Sequence, residues 1–194
     1  MYELIDNLVT SSDADRLQNF LLSTDFPWYF NEYVIDKKVY NESFLEDKNT
    51  IESNQFTHVF FSDGVIRSKF FEMVMPIVML LEIRMERSFS NRLVRVKANL
   101  LTKNSSYEDG QHNTPHTDSS SFPGESLLYY VNDSDGDTFI FNEKRGTDFK
   151  DLTLNKRVTP KRGKCMFFDS EYYHASSCPK NSDVRVVINF LFNK

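Results

Sequence analysis

Between Leu93 and Leu101 apolar and polar side chains alternate. Val94, Val96, Ala98 and Leu100 point one way, and Arg95, Lys97 and Asn99 the other. Strand side chains alternate with a period of two, so this stretch reads as a strand with one face on a core. Four shorter runs rich in β-branched and aromatic residues follow it: Leu127–Val131, Thr138–Phe141, Lys164–Phe168 and Val184–Phe192. Turn residues bound each of them, which predicts further strands.

The first third reads differently. Asp13–Thr24 places Leu17, Phe20, Leu21 and Leu22 on a broad apolar face, with Ser12 or Asp13 as the expected cap. Ser68–Met85 is apolar almost all round, which predicts a helix buried against something large. Pro76 is expected to kink it or to start a second segment. Helices followed by short strands predict a mainly β, α+β fold: an antiparallel sandwich or barrel with N-terminal helices packed on one sheet. A chain of 194 residues fits one domain, with 1–90 as helical and strand support and 91–194 as the core that carries the chemistry.

Composition narrows the classes. An apolar share of 40% with eighteen Phe excludes a wholly disordered chain. A net charge of −5 disfavours nucleic acid as the main partner. The longest apolar stretch, Met73–Leu81, is interrupted by Pro76 and falls short of the roughly 20 residues a bilayer span needs, so no membrane partner is expected. The first residues, Met1–Asp6, carry no basic region of a secretory signal. Cys165 and Cys178 make no disulfide scaffold, and a cytoplasmic protein with two free thiols is expected.

The chemistry begins at Pro115-His116-Thr117-Asp118. On extended chain, residues two apart face one side, so His116 and Asp118 can offer an imidazole and a carboxylate to one point. His174 follows the strand signal Gly163–Asp169, and Arg185 stands eleven residues beyond it at the start of the last strand. Two His and one carboxylate leave coordination positions open, the pattern of non-haem Fe(II) oxygenases. Structural zinc would close its shell with four protein ligands, and Cys165 and Cys178 lack the spacing for it. A 2-oxo acid with a distal carboxylate would give Arg185, which shares a face with Val187 and Asn189, a physical task.

In order along the chain, His116-Thr117-Asp118, Leu128–Asn132, Gly136–Phe141, Gly163–Asp169, His174 and Arg185 resemble the Fe(II)- and 2-oxoglutarate-dependent dioxygenases. The resemblance is nearest to the prolyl 4-hydroxylase-like branch and its short phage-encoded relatives, and it spans about Leu93 to Phe192. It implies a double-stranded β-helix (jelly roll) with iron held by His116, Asp118 and His174. It implies that Arg185 and Tyr130 bind the distal carboxylate of 2-oxoglutarate, and that Leu101 stands where the hydroxylases often have a further Tyr. The implied reaction hydroxylates an unactivated C–H with O2 and releases succinate and CO2, with ascorbate as a supporting reductant. Asp118 in the place where a halogenase needs a small residue argues for hydroxylation. The implied partner is a small molecule or a peptide, with peptidyl proline as the family-level expectation; a phage-encoded member would work in the host cytoplasm.

The rival reading is a non-catalytic, cupin-like jelly roll that holds a metal or a sugar. His112 is expected as a loop histidine near the entrance and His58 as structural. The cluster Phe26–Phe30 is expected in the core or on an edge strand, and Asn99 and Asn189 are open as contacts to the co-substrate. Lys103–Pro115 and Asn142–Asp151 are polar enough and long enough to serve as lids.

Overall fold

The computed structural model describes residues 2–35, 49–119 and 121–194. In chain order its elements are β1 (Tyr2–Ile5), α1 (Ser11–Leu21), β2 (Tyr29–Asn31), β3 (Gln55–Ser62), β4 (Val65–Ile66), α2 (Phe71–Met85) and β5 (Leu93–Thr102). Then come β6 (Gly124–Tyr130), β7 (Thr138–Lys144), β8 (Leu154–Val158), β9 (Cys165–Asp169), β10 (Tyr172–Ser176) and β11 (Val184–Asn193). An eight-stranded sheet runs β1-β9-β6-β11-β5-β3-β2, with β4 hairpinned on β3. A three-stranded sheet runs β10-β7-β8. Every pairing between these strands is antiparallel, and the two sheets face each other as a double-stranded β-helix.

The alternation read along Leu93–Leu101 decides the layers. Val96, Ala98 and Leu100 are buried in a core with Leu17 and Leu21 of α1 and Val74, Ile77, Val78 and Leu81 of α2. Ile188, Phe190 and Phe192 of β11 join them from the neighbouring strand. Each such side chain stabilises by about 1.5–3 kcal/mol when fully buried. The next residues along the same strands face the other way. Leu127 and Tyr129 turn to the helices, while Leu128 and Tyr130 meet Ile140, Val158 and Val187 between the sheets. N-terminal helices on one sheet, as expected, leave the opposite face of that sheet for a cavity.

One detail differs from the expectation and two refine it. The cap of α1 is Thr10, whose Oγ1 accepts from the Asp13 N–H at 3.1 Å. Its extended backbone places that oxygen over the first turn, earlier than Ser12 or Asp13. Pro76 lies inside α2 and no second segment starts there. One lost backbone bond near the first turns is outweighed by the burial of Val74, Ile77, Val78 and Leu81. The N-terminal third also contributes β1, β2 and β3 to the large sheet. No described helix is long and apolar enough to cross a membrane.

Candidate active site

His116 and His174 are joined by an isolated antiparallel bridge, each backbone N–H donating to the other's carbonyl at 2.9 Å. That pairing holds the two imidazoles 4.5 Å apart between ring centroids. Two residues on, the Asp118 N–H donates to the Ser170 carbonyl at 3.1 Å, and the carboxylate turns to the same side. One ligand atom from each of His116, Asp118 and His174 lies within 4.8 Å of the others. The sequence-read trio is therefore brought together, from a loop and from β10.

The donor chemistry suits a metal. Each imidazole places Nδ1 3.3 Å from a backbone carbonyl, Thr114 for His116 and Tyr172 for His174. A carbonyl only accepts, so the proton sits on Nδ1 and the Nε2 lone pair is free. His58 behaves otherwise: its Nδ1 meets the Pro27 carbonyl and its Nε2 the Ser68 hydroxyl, both at 2.8 Å. It is buried against Phe26 and Phe60, in the structural role expected of it, with no nitrogen left for a metal.

Three donors orient the Asp118 carboxylate. Ser126 Oγ donates to Oδ2 at 2.6 Å, Asn189 Nδ2 to Oδ2 at 2.9 Å, and Arg95 Nη2 to Oδ1 at 3.2 Å. Burial alone would raise its pKa, but His174, Arg95, His116 and the Ser126 hydroxyl outweigh burial and hold it well below the usual carboxylate range. Burial, with His174 beside it, lowers His116 to about 3, so that imidazole stays neutral and able to ligate. Ser126 and Arg95 were not singled out by sequence. The only local signal for them was their place on strands near the motif.

The trio lines a cavity of about 650 Å³ between the sheets. This is a typical volume for a small-ligand site. Arg185, Thr138, Leu101, Asn99, Lys97 and Asn189 line it too. Arg185 is 3% exposed and donates from Nε to the Gly136 carbonyl at 2.8 Å and from Nη2 to Thr138 Oγ1 at 2.7 Å. Gly136 is needed for this approach, because a Cβ there would meet the Ser177 carbonyl at 2.6 Å. Tyr130 is fully buried and its hydroxyl donates to the same Thr138 Oγ1 at 3.0 Å. Burial raises Tyr130 to about 12, so it acts as a neutral donor. Thr138 thus accepts twice and keeps its own proton to donate, a role that sequence reading missed because it considered only Arg185 and Tyr130.

Leu101 pairs in register with Arg185 across β5 and β11. Asn189 reaches Asp118, while Asn99 Oδ1 and Asn189 Oδ1 are buried on the cavity wall without a protein partner. Such orphaned acceptors beside the trio fit a site that is completed by a ligand. Lys97 is deeply set, and burial, with Arg95 beside it, lowers its pKa to about 8. His112 is not at the entrance: it is buried, with Nδ1 2.9 Å from the Asn113 carbonyl and its ring against Phe139 and Phe141. The loop Lys103–Pro115 is anchored in the same way, because Asn113 bonds Ser53, Tyr107 and Ser176 and all its polar atoms find partners inside. A segment tied down by that many buried bonds makes a poor lid.

This arrangement defines a class: a jelly roll with an open, three-ligand site and an anchored guanidinium deeper in the same cavity. The sequence model of the 2OG-Fe(II) oxygenase superfamily matches residues 102–193, the stretch with His116, Asp118, His174 and Arg185. No curated protein matches the chain in sequence. Among solved structures, a 2OG-Fe(II) oxygenase family oxidoreductase from Burkholderia pseudomallei is similar with a TM-score of 0.64 at 11% identity, over 99% of this chain and 84% of that one. A prolyl hydroxylase from Trichoplax adhaerens, in complex with a hypoxia inducible factor oxygen degradation domain peptide fragment, is similar with a TM-score of 0.62 at 11% identity, over 99% and 83%. The epimerase SnoN of nogalamycin biosynthesis, in complex with Fe3+, alpha ketoglutarate and nogalamycin RO, is similar with a TM-score of 0.59 at 13% identity, over 100% and 78%. At these identities the structural likeness speaks for the fold. Residues 102–193, just under half of the chain, match that superfamily, and this match supports an enzyme of that class that works with Fe(II) and 2-oxoglutarate.

Proposed function

We propose that His116 and His174, each through Nε2, and Asp118, through its carboxylate, hold one Fe(II) ion, and that the enzyme hydroxylates an unactivated C–H bond of a substrate seated in the cavity. The observation that carries this reading is the convergence of the three ligand atoms within 4.8 Å on a cavity wall shared with the buried Arg185. Bound there, Fe(II) with 2-oxoglutarate supplies the oxidative decarboxylation that releases succinate and CO2 and delivers one oxygen atom of O2 to the substrate.

The chain's own residues do the rest. Ser126, Asn189 and Arg95 orient the Asp118 carboxylate towards the two imidazoles. Arg185 offers its remaining N–H groups, and Thr138 its hydroxyl proton, to the distal carboxylate of 2-oxoglutarate. Tyr130 acts on that carboxylate through Thr138, as a positioning residue. The apolar walls Leu101, Leu128 and Val187 limit water around the reacting atoms.

Peptidyl proline is the substrate class to test first, because the Trichoplax neighbour is a prolyl hydroxylase with a peptide bound. Purified protein with Fe(II), ascorbate and 2-oxoglutarate is expected to release succinate, and faster when a proline peptide is its substrate. Absence of both succinate release and 2-oxoglutarate binding would falsify the assignment of the trio and Arg185. A crystal structure with Mn(II) and N-oxalylglycine, which stands in for 2-oxoglutarate, would show the ligands directly.

A further inference from the structure

Three cations line the cavity among the described residues: Arg95, Lys97 and Arg185. One carboxylate, Asp118, lines it with them. Two of the cations are engaged. Arg95 bonds Asp118, and Arg185 bonds Gly136 and Thr138. No hydrogen bond or ion pair reaches the Lys97 ammonium from the described residues, and Lys97 is half-buried in the cavity wall. A half-buried ammonium that lines the cavity without a hydrogen-bond or ion-pair partner among the described residues is available to an anionic group that enters it.

Charge bookkeeping sharpens this. The two charges of Fe(II) and the two of the 2-oxoglutarate dianion cancel each other. The described lining of the loaded cavity then keeps an excess of positive charge, within a chain whose overall charge is −5. Register separates the two free ends of the site. Arg185 stands opposite Leu101, whereas Lys97 stands opposite Asn189, four residues back along β5. At strand spacing that is about 13 Å along the sheet. Asn189 donates to Asp118, so Lys97 lies at the level of the trio, while Arg185 turns towards Gly136 and Thr138 at the far end. The carboxylate anchored on Arg185 is therefore too distant to pair with the ammonium.

We infer that the substrate carries an acidic group, a carboxylate, phosphate or sulfate, which pairs with the Lys97 ammonium while the C–H to be oxidised faces His116, Asp118 and His174. This rests on the iron and 2-oxoglutarate assignment above and narrows it to acidic small molecules or to peptides with an acidic group close to the target residue. Arg95 stands on the same face of β5 with its Nε unpartnered, a second donor for the same anion.

The test uses inorganic sulfate as the probe. The protein is loaded with Mn(II) and saturating 2-oxoglutarate, and sulfate replaces chloride at constant ionic strength while the melting temperature is followed. Sulfate stabilises proteins in general by exclusion, and that part is common to all variants. The wild type is expected to show an additional saturable rise that Lys97→Met loses, with an apparent affinity at least about tenfold weaker, and that Lys97→Arg retains. Should Lys97→Met fail to fold, Lys97→Gln takes its place in the comparison. Equal sulfate responses in wild type and the neutral variant overturn the inference. If 2-oxoglutarate itself fails to stabilise the Mn(II) protein, the underlying site assignment falls, and the inference with it. If 2-oxoglutarate stabilises and sulfate does not discriminate, the anion subsite alone is wrong.

Discussion

Val96, Ala98, Ile188 and Phe190 turn one face of the large sheet to the helices, while Arg95, Lys97, Arg185 and Asn189 turn the other to the cavity. Both faces come from the same two strands, β5 and β11, in one register. The helix side gains stability from burial of apolar area. The cavity side encloses charges and leaves Arg95 Nε, Asn99 Oδ1 and Asn189 Oδ1 without protein partners, each of which works against folding. The contrast teaches a division of labour. The N-terminal helices stabilise a sheet whose opposite face is held ready for ligands, so substitutions on the two faces should have opposite signatures.

The largest expected effect lies on the cavity side. Asp118→Ala removes one of the three proposed protein ligands, and binding of Mn(II), followed by calorimetry, should become undetectable while the protein stays folded. Retained metal affinity would mean that a different set of residues holds the ion. On the helix side, Phe190→Ala should destabilise by about 3–5 kcal/mol in denaturant titrations without touching metal binding in the surviving folded protein. A loss below about 1 kcal/mol would show that this core collapses around the gap.

Back in the cavity, Arg185→Leu should weaken 2-oxoglutarate by about 2–4 kcal/mol, roughly 30- to 1000-fold. The readout is the Michaelis constant for 2-oxoglutarate or its equilibrium affinity, and a change under about threefold, well short of 1 kcal/mol, would reassign the arginine.

The smallest effect is a gain in stability. The folded pKa of Lys97, about 8, is depressed below the usual lysine value. A basic group with a depressed folded pKa binds fewer protons folded than unfolded between the two values. Its penalty is therefore fully present below about pH 8 and is relieved as pH rises towards about 10.4. Lys97→Met should raise the stability of the metal-free protein by on the order of 1–3 kcal/mol at pH 7 and flatten that rise. A destabilised Lys97→Met across this range would place the side chain among the structural residues.

Much of the fold was legible because its strands and helices have strong periods. The strand read over Leu93–Leu101 is β5, Val184–Phe192 is β11, and the remaining three runs match β6, β7 and β9 within a few residues. What escaped was β1, β3, β4, β8 and β10. Strand β1 buries only Ile5 and β8 only Val158, so neither shows an apolar face to read. They exist because a partner strand offers its edge, β9 for β1 and β7 for β8. Within the candidate site, the residues read by type and order, His116, Asp118, His174 and Arg185, line one cavity. Thr138, Ser126 and Lys97 were not read in this way, since nothing near them in sequence distinguishes a threonine that bridges Arg185 and Tyr130 from any strand threonine.

Sequence by itself determined the local pattern here: which stretches extend, which face of each is apolar, and which side chains are chemically able to hold a metal and a diacid. Those properties belong to neighbouring residues, where the strand period of two acts. Tertiary structure alone decided that the His116–His174 bridge sets two imidazoles together, that Ser126 and Asn189 aim Asp118, and that Lys97 lines the cavity without an ion-pair partner among the described residues. Those outcomes depend on the register of β11 against β5 and β6 and on the approach of the two sheets, which join residues far apart along the chain.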